Sequence, residues 1–136
     1  MTETEIFEKL QSLIREVLGK KVGAIAMDSR LIFDLGAESI DLLDITFLIE
    51  ERFGVVIEPN GFEKEVKKRL PDGVFERDGY LTEGALAELR LALPEVDQTR
   101  LVTGLRKADI PSLLTVAVFV HLIMRHQAAQ GTPTPS

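Results

Sequence analysis

The chain has no cysteine and no tryptophan, one tyrosine and two histidines among 136 residues. Without cysteine it can form no disulfide and offers no thiolate of its own for nucleophilic or redox chemistry. Aromatic residues make up only 6% of the chain against 45% hydrophobic residues, so a globular core here must be mainly aliphatic. His121 and His126 stand five apart on a predicted helix, on different faces, and cannot make a two-histidine metal grip; no metal site is expected. No G-x-S-x-G elbow surrounds any serine, and no catalytic constellation is visible, so the chain is not expected to be an enzyme. Basic residues are outnumbered, 16 against 22 acidic, for a net charge of −6. That excess disfavours nucleic acid and suits a basic protein partner. The longest apolar stretch, Leu113 to Met124, is too short for a bilayer and is interrupted by Thr115 and His121, so no stable membrane insertion is expected. The first residues, MTETEIFEKLQSLIREVLGKK, are acidic and amphipathic and lack a signal peptide's basic head, which points to the cytoplasm.

What is present reads as helices. Ile6, Phe7, Leu10, Leu13, Ile14, Val17 and Leu18 recur at steps of three and four, predicting a helix over about 4–18. Thr2 and Glu5 have capping-box spacing, and Gly19 can end the helix in the left-handed conformation. A loop to about Leu35 follows, carrying Val22, Ile25, Met27, Leu31 and Phe33, which are expected to pack on the helices. A second helix is predicted from Ser39 to about Arg52, stopped by Gly54. It bears two apolar stripes, Leu42, Ile45, Ile49 and Phe53, and beside it Ile40, Leu43 and Phe47. Between Glu38 and Arg52 five acids (Glu38, Asp41, Asp44, Glu50, Glu51) face one base, Arg52.

The segment at about 60–108 differs in character. GFEKEVKKRL predicts a basic helix with Phe62, Val66 and Leu70 inward and Glu63–Lys67 and Glu65–Arg69 as supporting pairs. VFERDGYLT reads as loop rather than a hairpin around Asp78-Gly79, since an isolated hairpin is marginal. Thr82 is placed as an N-cap, with Leu81 and Leu86 as a hydrophobic staple, for a helix ending near Ala92 before Pro94. A helical turn near Asp97–Val102 fits the pattern. The last helix is expected from near Pro111 to about His126, and 129–136 as a disordered tail.

Ser39 has two readings from its position alone: a helix N-cap, or a point of covalent attachment. The stretch DLGAESIDLLDITFLIEERFGV resembles the modification-site region of acyl carrier proteins, whose usual pattern is D-L-G-x-D-S-L-D ahead of an apolar and acidic helix. Asp34, Leu35, Gly36, Ser39 and Asp41 match it; Glu38 stands for the usual Asp and Ile40 for the usual Leu. The first predicted helix and SLLTVAVFVHLI fit that family's first and last helices.

The resemblance implies an all-α fold. It would be an acyl-carrier-like four-helix bundle over 1–128, monomeric, with a mostly helical insertion at about 60–108 between the second and last core helices. It implies 4′-phosphopantetheine on Ser39, with Gly36, Glu38 and Ile40 around the attachment point. Glu38, Asp41, Asp44, Glu50 and Glu51 would dock basic patches on a phosphopantetheinyl transferase and on acyl-loading and acyl-transfer enzymes. Leu42, Ile45, Leu48, Ile49, Val116 and Val120 would form core and acyl pocket together. Arg52 stands where the family continues acidic. Peptidyl carriers share the serine chemistry but favour L-G-G-x-S, and an unmodified interaction module is the alternative of another class. The insertion departs from the family pattern. It is read as enlarging the pocket for a long or modified acyl group, as docking a dedicated enzyme through its basic helix, or as bracing the bundle.

Overall fold

The computed structural model describes residues 1–19, 22–57 and 61–130. They are mainly helical and fall into two compact units. One is made by Met1–Ile57 together with the chain from Thr115; the other is the segment between, up to Leu114.

The first unit is built on α1 (Glu3–Leu18), α2 (Ser39–Phe53) and α5 (Val116–Gln130). α1 packs against both of the others. It starts as its sequence predicts: the Thr2 hydroxyl accepts from the Glu5 N–H at 3.1 Å, and the Glu5 carboxylate accepts from the Thr2 N–H at 2.9 Å. Ile6, Leu10, Leu13 and Ile14 of its apolar stripe are completely buried, and Phe7, Val17 and Leu18 half-buried. Gly19 ends it with a positive φ of 88° but an extended ψ of 178°, not the left-handed helical pair expected; Gly54, at φ 69° and ψ 23°, is the left-handed cap of α2.

The long loop before α2 packs through Ile25 and Leu31, both buried. Phe33 does not: it is 61% exposed, with the Arg30 guanidinium 4.9 Å above its ring. The loop is also stitched to the last helix. Ser29 and Met27 carbonyls accept from the N–H groups of Val116 and Ala117 at 2.9 and 2.8 Å. Those two donors have no acceptor within their own helix, so the loop supplies what a side-chain cap would. This explains why α5 begins at Val116 and not near Pro111. Pro111 lies inside a separate 3₁₀ segment, Lys107–Leu113, and Leu114 is extended. Val116 to Val120 are all buried, so the first turns of α5 pack on every side. The helix runs on through Gln130, past the expected end near His126, so Ala129 and Gln130 are helical and not tail; the remaining expected tail, 131–136, lies outside the described residues.

The second unit contains α3 (Gly61–Arg69), a two-stranded antiparallel hairpin of β1 (Glu76–Arg77) and β2 (Tyr80–Leu81), α4 (Glu83–Ala92) and the 3₁₀ segments Gln98–Arg100 and Lys107–Leu113. α3 and α4 pack on each other. The hairpin corrects the loop expected there. It is not isolated: the Leu105 carbonyl accepts from Leu81 N–H at 2.9 Å, Gly79 carbonyl from Lys107 N–H at 3.0 Å, and Phe75 beside it is buried. A third stretch of backbone and a buried ring supply what two short strands lack alone. Thr82 caps α4 by accepting from Ala85 N–H at 3.2 Å, and Leu81 and Leu86 are both buried as a staple requires. Glu65 meets Lys68 at 3.6 Å instead of the expected Arg69.

Glu63 is the electrostatic centre of this unit. Its side chain is 16% exposed and holds Lys67 at 2.8 Å and Lys107 at 2.6 Å. The hydrogen bond from Lys107, then that from Lys67, holds the carboxyl below the usual glutamate range. A folded pKa below the unfolded value contributes stability that is present above about pH 4.3 and is lost as pH falls through the folded pKa. The Glu63→Gln variant is therefore expected to be less stable than wild type at pH 7. The gap should narrow below about pH 4, as read from urea midpoints at pH 7 and pH 3. A gap unchanged at pH 3 would show that the carboxylate's charge is not what stabilises the unit.

Candidate functional site

The loop into α2 is a run of tight turns. Asp34 folds back on Arg30, its Oδ2 accepting from the Arg30 N–H at 2.7 Å and its carboxylate meeting the guanidinium at 3.4 Å. Gly36 N–H donates to Ile32 carbonyl and Ala37 N–H to Leu31 carbonyl, at 3.1 and 2.9 Å, and Ala37 is buried. These bonds require Gly36 at φ 76°. A methyl there would meet nothing within 4 Å, so Gly36→Ala should cost backbone strain only, about 1–2 kcal/mol. Equilibrium denaturation would measure it, and an unchanged midpoint would show that the loop relaxes at no cost.

Glu38, and not Ser39, occupies the N-cap. The Asp41 carboxylate accepts from the Glu38 N–H at 2.9 Å and holds the helix start. Ser39 is the first helical residue, exposed, and its hydroxyl has no hydrogen-bond partner among the described residues. The capping reading of Ser39 is thereby overturned: the start of α2 does not use its side chain. The hydroxyl is free to react, and the N–H groups of the first turn lack intrahelical acceptors. The positive end of the helix dipole lies at the same point, which favours a bound phosphate, while Glu38 and Asp41 oppose it.

Along α2 the two apolar stripes separate. Ile45 and Ile49 are fully buried, with Leu42, Leu48 and Phe53 half-buried. The neighbouring stripe faces water: Ile40, Leu43 and Phe47 are 62–64% exposed. Asp44 and Glu51 are exposed on this same side, at helical steps of three and four from these three residues. This face mixes large apolar groups with acids; the sequence pattern assigned Asp44 and Glu51 a docking role and set Ile40 beside the attachment point, but left Leu43 and Phe47 without one. The available signal was that one helix carried apolar residues around most of its girth, more than one core contact can use. Glu38 and Glu50 are exposed and flank it; Asp41 is half-buried and engaged in its cap. Arg52 does not break the acidic face as a free cation. Glu16 of α1 takes both its guanidinium nitrogens, one at 3.0 Å. That pairing lowers the Glu16 pKa and raises that of Arg52.

Val116 and Val120 of α5 are fully buried, as are Ile45 and Ile49. A cavity of about 520 Å³ lies in the second unit, and none of the six expected pocket residues lines it. Among the described residues there is no group of three or more side chains able to hold a metal, and no helix is long and apolar enough to cross a membrane.

Comparison with known proteins bears on the same stretch of chain. Residues 8–65 match the family described as "Phosphopantetheine attachment site", a stretch that contains α2 and the loop before it. The chain is 44% identical over 66 residues to an acyl carrier protein of Borrelia garinii, covering 46% of this chain and 82% of that one. It is 42% identical over 60 residues to one of Thermotoga maritima (44% and 74% covered), and 39% identical over 64 residues to one of Guillardia theta (47% and 79%). No solved structure gives a significant match. α4 and α5 lie outside the matched family stretch. A phosphopantetheine attachment domain is a substrate of a phosphopantetheinyl transferase, and the carriers that bear it tether reacting groups without catalysing their reactions. The chain belongs to the acyl carrier protein family and is a phosphopantetheine-bearing carrier.

Proposed function

We propose that Ser39 is the attachment residue and that its arm carries an acyl chain as a thioester to enzymes of fatty-acid, lipid or polyketide-type synthesis. One observation carries the assignment: Ser39 stands exposed at the start of α2 with a hydroxyl that no described residue engages, the helix start being held by Asp41 on the Glu38 N–H. When attached, 4′-phosphopantetheine supplies the thiol that a chain without cysteine lacks. Gly36 holds the turn that presents the serine, Glu38 and Ile40 flank it, and the first-turn N–H groups of α2 face the phosphate.

The exposed acids Glu38, Asp44, Glu50 and Glu51, with Asp41 at the cap, draw in basic surfaces of the transferase and of acyl-loading and acyl-transfer enzymes. Each exposed charge contributes little alone, and the summed field acts mainly on encounter rate. Leu42, Ile45, Leu48, Ile49, Val116 and Val120 form the interior that opens to shelter an acyl chain. The second unit, most of which lies outside the matched family stretch, is what makes this a specialised carrier, suited to a long or modified acyl group.

The assignment is tested by intact mass after incubation with coenzyme A and a broad-specificity transferase. A single added phosphopantetheine, mapped by fragmentation to the peptide holding Ser39, is the expected result. Modification mapped to another serine would overturn the site. No modification, with the same transferase shown active on another carrier, would favour an unmodified interaction module.

A further inference from the structure

The cavity of the second unit lies among the chain just after α3, the hairpin and the start of α4. It is lined by Leu70, Pro71, Asp72, Arg77, Tyr80, Leu81, Thr82, Glu83 and Gly84, and its 520 Å³ lies within the range of small-molecule sites. Leu70, Pro71, Leu81 and the Tyr80 ring make its walls apolar. Gly84 keeps it open, since a Cβ there would stand 3.1 Å from Leu70 Cδ2.

The polar groups around it divide by what already holds them. Asp72 Oδ1 accepts from Val74 N–H at 3.0 Å and shapes its own turn. The Thr82 hydroxyl donates to Val74 carbonyl at 2.9 Å and accepts from Ala85 N–H. Glu83, in the first turn of α4, accepts from the Thr103 hydroxyl. Arg106, bridged to Tyr80, is paired with Asp109 at 3.3 Å. Arg77 is different. It is exposed, it stands on β1 at the cavity, and its guanidinium has no hydrogen-bond or ion-pair partner among the described residues. Such a group beside an apolar wall recognises a carboxylate through a charge-assisted, two-point contact. The carboxylates of Asp72 and Glu83 on the same rim repel any anion, and repel a doubly charged one such as a phosphate monoester about twice as strongly as a carboxylate.

We propose that this cavity is a binding site for a monoanionic aliphatic carboxylate, its chain against Leu70, Pro71, Tyr80 and Leu81 and its carboxylate on Arg77. Failure of this binding would leave the carrier assignment untouched, and the converse.

The test is a ¹⁵N–¹H NMR titration of the full chain with decanoate below its micelle concentration, with decanol and decylamine as controls. Saturable shifts confined to 70–84 are expected. Arg77→Gln should weaken decanoate about tenfold and leave decanol unchanged. Gly84→Ala, whose methyl would press on Leu70 at the cavity wall, should weaken the decanoate shifts while preserving the spectrum outside 70–84. Three results would each overturn the proposal: saturable shifts confined to α1, α2 and α5, tighter binding of decylamine than of decanoate, or decanoate binding unaltered by Arg77→Gln.

Discussion

Ser39→Ala is expected to abolish phosphopantetheine loading while leaving stability within about 0.5 kcal/mol of wild type. Both halves follow from where the hydroxyl stands. It is exposed and bonds to nothing among the described residues, so its removal leaves no buried group unpaired and no cap undone. Were Ser39 the N-cap, the same change would cost about 1 kcal/mol. Alanine also favours a helix over serine, which offsets what little is lost. Loading is read by intact mass and stability by urea denaturation on the same preparations. Residual loading on the variant would place the arm elsewhere; a fall in stability near 1 kcal/mol would restore the capping role.

The second large effect concerns the exposed face of α2. Asp44→Lys with Glu51→Lys should slow modification by the transferase at least tenfold at low ionic strength, and less as salt rises toward 0.5 M, because the interaction is between solvent-exposed charges. These two positions are chosen over Asp41 because Asp41 holds the Glu38 N–H, and reversing it would damage the helix start along with the field. Asp44 and Glu51 are exposed and free of that role. They also stand beside Ile40, Leu43 and Phe47, whose exposed side chains give an approaching partner an apolar centre within the acidic rim. Rates that do not depend on the substitutions or on salt would remove the docking assignment. A loss of rate insensitive to salt would locate the effect in the apolar contacts.

Arg52 illustrates how a charge count misleads. In the sequence it is a lone base among acids. In the fold it is taken by Glu16 from another helix, so the pair is internally balanced and Arg52 does not offset the acids of α2. No spacing rule links positions 16 and 52; only the packing of α1 on α2 does.

Much was decided by local physics and was legible in residue order. Thr2 and Glu5, Thr82 with Leu81 and Leu86, and Gly54 mark helix ends because caps and left-handed turns are settled within a few residues. The family was legible because Asp34, Leu35, Gly36, Ser39 and Asp41 lie in one short run. Tertiary structure decided the remainder. The loop carbonyls of Met27 and Ser29 set the start of α5, and the 105–107 backbone made a hairpin of a stretch too short to hold itself. Which of two apolar stripes on α2 meets solvent, and whether Ser39 is a cap or a free hydroxyl, likewise depended on partners that sequence spacing does not name. The division has a single physical cause. A backbone group or side chain satisfied by its near neighbours can be read from the sequence, and one satisfied from a distant segment is placed only when the chain has packed.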